Sequence, residues 1–588
     1  MTLQSRAAAF GAHHAGRVLS VAVFLSLIIV SLLNGDFGSI GPDGDDVMRL
    51  VQVRDLLNGQ GWFDLNQPRL GPEGGTLMHW SRLVDLPIAT IAMIFQPFLG
   101  QERALSFAVT FWPVLSVLIA TSALVMGARA VGGRGVVAFT CLFGFAVLFR
   151  HFRFLPGAID HHNLQLGLLM LAVAALLAQD RLARPMALAA ASLALSVAIG
   201  VEVHVFAAVI AAFVALDWAI SGVPAQRGAV AFGATFATVI AATFLFTVAP
   251  LDYWTARCDA HSSVTLLGGL AGGAAFALAA QVTSDKSRLI RFAALANVAA
   301  ICGALILVSG PQCLSNPLAS LSPEARDLWL ARVDEARPTL AYLNGSLDEF
   351  LFRLGTMTAG LAAAVWLAWT GLHRRAALLF VLLLTVSLVF ALYQTRFYVF
   401  GQLFAVIPLA IVAARIHAGE ASPPVPRLAY LAVVVAGVPA IWGAAGMAFS
   451  PSKPAAAPIV SAEACDPAAI HTALAALPPG RILAPASDAP GLLLETQHSV
   501  LYGHYHRNRA GIDAALAIFT GPPEEARAGL AAARVDYVLA CPSDIDLRFF
   551  ADYAPDGFAA SLVSGDVPVW LEPAGFAAPA TIYSVKRR

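Results

Sequence analysis

The sequence predicts a polytopic α-helical membrane protein of about thirteen spans with a small C-terminal α/β domain outside the membrane. Three observations predict it. Apolar side chains make up 58% of the 588 residues and charged ones only 13%, with mean hydropathy +0.72, whereas a soluble domain is about a quarter charged. The apolar residues fall in runs close to the roughly 20 needed to cross lipid. From residue 449 the pattern changes to short, alternating strand-like and helix-like segments. Net charge is zero, which leaves no electrostatic footprint for nucleic acid.

The spans read 18–33, 104–127, 135–150, 163–178, 185–200, 203–220, 229–249, 263–281, 290–309, 353–371, 376–393, 398–415 and 427–448. Arg6 and Arg17 precede the first run, VLSVAVFLSLIIVSLL, and no A-x-A-like site follows it. It is therefore read as a retained span rather than a cleaved signal. The runs at 135–150 and 185–200 are short. Another run, 83–99, is interrupted by Pro87 and Pro97. It is placed on the outer surface, because counting it as a span spoils the charge pattern.

That pattern sets the orientation. With the N-terminus in the cytoplasm, the inside loops are ARAVGGRG, AQDRLARP, SGVPAQRG, TSDKSRLIR, GLHRR and ARIHAGEASPPVPR. All carry Arg or Lys, as the positive-inside rule asks. Outside lie 34–103, 151–162, 250–262, 310–352, the turn 394–397 and the tail. The chain thus reads as a transmembrane domain, 1–448, and an extracytoplasmic domain, 449–588, with long outer loops at 34–103 and 310–352. Cys258, Cys313, Cys465 and Cys541 fall outside. Cys465–Cys541 and Cys258–Cys313 can pair as disulfides in an oxidising compartment, or stay as free buried thiols. The tail opens with the Pro/Ala linker SPSKPAAAP. Strand-like RILAP, SVLYG, DYVLA and PVWLEP then alternate with helix-like PAAIHTALAAL and PPEEARAGLAAA.

Acidic residues collect in the outer loops. Asp43, Asp45 and Asp46 stand just before the helical stretch VMRLVQVRDLL. One aspartate there serves as a cap; three exceed that need, and hard oxygen ligands suit Mg²⁺ or Mn²⁺. IDHHNLQLGLLM puts Asp160, His161 and His162 at the start of a span, a second set of metal-ligating side chains whose imidazoles turn the choice away from Ca²⁺. Glu335 adds an acid in the 310–352 loop, where a solvated helix face is the plain alternative. Arg396 sits between two spans, placed to snorkel or to hold a phosphate. Arg150 and Arg153 run against the positive-inside trend, which fits an anionic lipid head group. Glu202 and His204 are polar neighbours of this region or mark a helix end. No P-loop or dinucleotide-binding glycine fingerprint is present.

These residues resemble those of the oligosaccharyltransferase catalytic subunits, which are multispanning GT-C glycosyltransferases. DGDDVMR aligns with that family's D-P-Y-Y-x-x-R, with Asp43 at the acid and Arg49 at the arginine; the tyrosines are absent, and Asp45 or Asp46 remain alternatives. TLMHWSRLVDLP is similar to T-P-I-H-W-G-P through His79 and Trp80. GAIDHH matches G-x-x-D-H-H, which implies Asp160 and His162 as metal ligands together with Asp43. RVDE partly matches S/T-V/I-x-E, which implies a metal- and acceptor-supporting role for Glu335. Arg396 and Phe397 match a late R-F motif that holds the lipid phosphate. The family's sequon-reading W-W-D-Y-G is absent, and the tail instead carries SVLYGHYHRN, offering His504, His506 and Arg507 as substrate contacts or as a plain polar loop.

The resemblance covers most of 18–448 at motif level. It implies a GT-C-like bacterial enzyme of the cytoplasmic membrane that uses Mn²⁺ or Mg²⁺. Its donor is a sugar or oligosaccharide on a polyprenyl phosphate or pyrophosphate, and its acceptor a protein, glycolipid or polysaccharide. Arg396 with Arg150 or Arg153 clamps the donor phosphate, and His79, Trp80 and His161 lie among the substrate contacts. A transporter or flippase of a lipid-linked glycan is the alternative; it predicts ionisable residues deep within spans.

Overall fold

The computed structural model describes residues 40–586 except 42, 150, 179–180, 316–317, 319–320, 420–426 and 451–463, together with parts of 18–29. The expected span 18–33 is largely outside the described residues, and Arg150 is wholly so. The chain forms two compact units. One takes in Trp80–Pro317 and Asp334–Pro451 with the N-terminal stretch. The other takes in Gly41–His79, Leu318–Val333 and Ser452–Arg588.

The first unit is helical. Among the described residues nine helices are long and apolar enough to cross a membrane: Arg82–Leu99, Gln101–Val131, Val201–Ser221, Val223–Thr247, Ser263–Thr283, Arg288–Ser309, Leu347–Thr370, Arg374–Tyr393 and Thr395–His417. Arg427–Ala436 and Pro439–Phe449 form a pair bent by 100°, a tenth if taken as one span. Three expected spans are shorter apolar helices, Arg134–Leu148, His162–Leu176 and Ala183–Ile199. At 1.5 Å per residue these reach about 22–26 Å, short of a hydrocarbon core of about 30 Å. Among the described residues nine or ten helices thus have full spanning length, with three shorter apolar helices beside them.

One of the nine was not expected as a span. Pro87 and Pro97 lie inside the continuous helix Arg82–Leu99 instead of breaking it. Pro87 falls in the second turn and Pro97 in the last, where few backbone bonds are lost. Ser81 caps the helix by accepting from the Leu83 amide, and a fully buried Arg82–Asp85 pair at 3.0 Å closes its first turn.

Small residues let the helices approach closely. A side-chain carbon at Gly233 would lie 2.5 Å from the Gly273 carbonyl oxygen, and one at Gly273 would lie 2.6 Å from that of Gly233. Helices Val223–Thr247 and Ser263–Thr283 thus touch backbone to backbone, a common device in lipid, where apolar burial drives little association. Helix Thr395–His417 has 94% of its apolar window buried, while Arg288–Ser309 has none. The former is core; the latter lies at the edge, with Ala294, Leu295 and Val298 packed on the core and Arg291 buried against the Ala219 carbonyl. Cys258 and Cys313 form a disulfide within this unit, with Cα atoms 5.0 Å apart.

The second unit is α/β. Strands β1 (Asn66–Gln67) and β2 (Thr76–Leu77) make a small antiparallel pair. The main sheet contains β3 (Arg481–Leu483), β4 (Ser499–Val500), β5 (Tyr537–Ala540), β6 (Leu571–Ala577) and β7 (Ala580–Val585) in the order β4-β3-β5-β7-β6. β3 runs parallel to β4 and β5; β7 is antiparallel to β5 and β6. Leu70 bridges to Val500 beside β4, and Arg69 donates to the carbonyls of Leu493 (2.6 Å) and Thr496 (2.9 Å). Leu321, Leu328 and Trp329 enter the same core as Leu501, Tyr502 and Phe519. Segments 41–79 and 318–333, which read in sequence as parts of outer loops, are thereby built into this unit. Cys465 and Cys541 form its disulfide.

Candidate active site

In the first unit, a short connection between helices Arg134–Leu148 and His162–Leu176 carries most of the chemistry. Gly157 turns it with φ +87, a conformation that strains any side-chain-bearing residue, and its amide donates to the Val109 carbonyl. Asn163 donates to the Ala158 carbonyl at 2.8 Å and closes the turn. Asp160, His161 and His162 are brought together, all buried. Asp160 Oδ1 lies 2.6 Å from His161 Nδ1, and its Oδ2 accepts from His162 Nδ1.

One carboxylate therefore fixes two imidazoles through their Nδ1 atoms. His162 Nε2 is left buried with no hydrogen-bond partner among the described residues. Ligand atoms of the three residues lie within 4.8 Å of one another. An imidazole held at Nδ1 by a carboxylate, with a buried Nε2 lone pair to spare, is the usual arrangement of a metal-ligating histidine. The residues present fit a divalent cation. Burial alone would raise the Asp160 pKa, but the two imidazoles push it well below the ordinary carboxylate range. Burial likewise opposes charge on His161, yet Asp160 and Glu202 push it up to about 10.

Two arginines stand beside this cluster, each against a carboxylate. Arg153, in the 3₁₀ turn Phe152–Phe154, donates to Glu335 Oε1. Glu335 comes from the turn Asp334–Ala336, and its segment is tied down where the Thr395 amide donates to the Arg337 carbonyl (2.8 Å) and Thr339 donates to that of Ala391 (2.6 Å). Burial opposes ionisation of Glu335, but Arg153 holds its pKa below the usual range. Arg396, in the turn Thr395–Phe397, lies 3.7 Å from Glu202 Oε1, and His161 Nε2 is also 3.7 Å from that oxygen. His151 is buried nearby and held down to about 3 by burial and by Arg153. Trp80 is buried within this unit.

The other candidate residues belong to the second unit. Asp43 caps helix Gly44–Leu57 by accepting from the Asp45 amide at 3.1 Å, and Asp46 is 3% exposed in its first turn. The His79 and His506 rings lie 4.6 Å apart. His504 Nδ1 accepts from Trp329 Nε1 at 2.8 Å, and its Nε2 is 3.8 Å from Asp546. Arg507 donates to the Met78 carbonyl at 3.1 Å, so part of its work is to tie segment 41–79 to the tail.

No protein-family model matches the chain, and no curated protein matches it in sequence. Solved structures do. The archaeal oligosaccharyltransferase AglB from Archaeoglobus fulgidus, in complex with an inhibitory peptide and a dolichol-phosphate, superposes with TM-score 0.64 at 16% identity, over 97% of this chain and 74% of that one. An Archaeoglobus fulgidus oligosaccharyltransferase tethered to an acceptor peptide containing the NVT sequon gives 0.62 at 15% identity, over 98% and 74%. In complex with Zn and sulfate it gives 0.57 at 16% identity, over 96% and 73%.

The chain has an oligosaccharyltransferase fold. At these identities the likeness speaks for the fold alone.

Two titratable groups set into this fold, Arg353 and His151, went unremarked in the sequence. Arg353 packs over the Tyr342 ring, 3.9 Å from its centroid, and pairs with Glu349 at 3.0 Å. Its signal was the i,i+4 spacing at the start of a span. His151 had none beyond its place in RHFRF.

Proposed function

We propose that this protein is a glycosyltransferase of the bacterial cytoplasmic membrane. It moves a sugar or oligosaccharide from a polyprenyl-phosphate or pyrophosphate carrier to a protein, glycolipid or polysaccharide on the outward face. The observation that carries this reading is the buried Asp160–His161–His162 cluster flanked by two arginines, Arg153 and Arg396, in a chain of oligosaccharyltransferase fold.

Asp160 and His162 would hold Mn²⁺ or Mg²⁺. Such an ion, when bound, neutralises charge on the leaving phosphate. Archaeoglobus fulgidus oligosaccharyltransferase structures hold dolichol-phosphate, an acceptor peptide, or Zn and sulfate; a lipid phosphate, an acceptor and a divalent cation here are in keeping with that. Arg153 and Arg396 bind the carrier phosphate through charge-assisted hydrogen bonds. Glu335, paired with Arg153, orients the acceptor once Arg153 turns to phosphate. Asp43, Asp45 or Asp46 keeps the role the sequence resemblance gives it, an acid acting on the acceptor nucleophile. Attack directly on the anomeric carbon inverts it. His79, Trp80, His161, His504, His506 and Arg507 contact substrate.

The flippase reading is less favoured. Among the described residues of the first unit, Asp, Glu, Lys and Arg fall in loops or in the terminal two turns of helices, whereas translocation sites place ionisable groups at mid-depth. The test is to incubate the purified protein with a bacterial lipid extract and Mn²⁺ and to identify glycosylated products by mass spectrometry. Asp160→Ala should abolish product while the protein stays folded. Full activity of that variant would refute the assignment.

A further inference from the structure

Within the first unit, two kinds of arginine–carboxylate pair coexist. Arg181 grips Asp217 through two hydrogen bonds of 2.8 Å, and Arg375 adds a third at 3.0 Å. That knot has the geometry of a structural fastening. Arg396 and Glu202 are different. They approach only to 3.7 Å, close enough for charge attraction but too far for a hydrogen bond. Arg396 Nε is buried without a hydrogen-bond partner among the described residues. Glu202 is 14% exposed, so solvent screens its charge only weakly.

The carboxylate is nevertheless carefully seated. Gln165 Nε2 donates to the Gly200 carbonyl at 3.0 Å and lies 3.5 Å from Glu202 Oε2. A side-chain carbon at position 200 would come within 2.6 Å of that oxygen, so glycine leaves the room it occupies. Glu202 faces two cationic groups, Arg396 and His161, and locks neither.

We propose that Glu202 is a stand-in anion. Its carboxylate neutralises Arg396 while the site is empty and yields that arginine to the phosphate of the incoming lipid carrier, remaining beside His161. The inference rests on the functional reading above and gives it an exchange step. A phosphate oxygen at hydrogen-bond distance satisfies guanidinium donors that Glu202 leaves unmade. Because the two anions compete, removing the charge of Glu202 strengthens lipid binding, the opposite of what deleting an ordinary binding or structural residue does.

The experiment measures binding of a polyprenyl monophosphate to the full-length protein in detergent micelles, with the same polyprenol lacking phosphate as control. Glu202→Gln should bind the phosphate lipid about fivefold more tightly than wild type, and Glu202→Asp, which keeps the charge, within about twofold. Glu202→Met, uncharged and of similar length, must shift affinity in the same direction and serves if the glutamine variant does not fold. Equal or weaker binding by the neutral variants, with wild type still preferring phosphate over polyprenol, overturns the exchange and leaves the functional reading standing. Wild type binding both lipids alike removes the phosphate seat, and with it both proposals.

Discussion

Asp160 spends both carboxylate oxygens on imidazole nitrogens, and that has a cost when it is changed conservatively. An asparagine offers one acceptor and one donor, so one ring must turn its lone pair toward Nδ1 and protonate Nε2. Asp160→Asn should therefore weaken Mn²⁺ binding ~10–100-fold, read by calorimetric titration of the purified protein; wild-type affinity would remove this cluster from consideration as a metal centre. In the second unit, Asp488 is pushed up to about 7 by burial and by the neighbouring Asp544 and Asp546. Its usual value is 3.8, so between about pH 4 and 7 the folded protein holds a proton that the unfolded chain has lost. Stability accordingly falls as pH rises through this window and stays lower above it. Asp488→Asn should flatten that fall and stabilise the protein at pH 8 by ~2 kcal/mol, allowing for screening at a half-buried site. Thermal unfolding in detergent from pH 5 to 8.5 checks it; parallel wild-type and variant curves contradict it.

At the scale of elements, the contact of Gly233 with Gly273 is a close backbone-to-backbone constraint on how two spans meet. Gly233→Val forces the backbones apart and should destabilise the protein by ~1–3 kcal/mol, seen as a lower melting temperature; an unchanged melt would show that the helices can separate freely. Such helices were largely legible in the sequence, because a run of apolar residues in lipid has little alternative to a helix. Arg82–Leu99 reads in sequence as a run interrupted by two prolines, yet it is one continuous helix, because Pro87 and Pro97 fall near its ends. The D-H-H group was legible because its members are adjacent. The partners of the arginines were not: Arg153 meets Glu335 across 182 positions, and nothing local in either segment announces the other. Glu202 read as a polar neighbour of the site or the mark of a helix end, with no partner named, since its pairing depends on a turn almost two hundred positions away.

At the scale of the whole molecule, four of the six cysteines are tied up in two disulfides, leaving Cys141 and Cys302 as thiols. A maleimide-polymer reagent applied to the denatured protein should add at most two labels before reduction and six after, resolved by gel mobility. Six labels without prior reduction would contradict an oxidising surrounding for both pairs. The second unit also has a history written into it. Leu70 bridges to Val500, so a ribosome making about 5–20 residues per second needs roughly 20–90 s to supply the partner of a segment already made. During that interval the stretch around Leu70 has no sheet to join. Biogenesis of this protein thus calls for a holding factor, or for a nascent chain that tolerates waiting, and a stop codon shortly before Val500 would leave the early segment stranded.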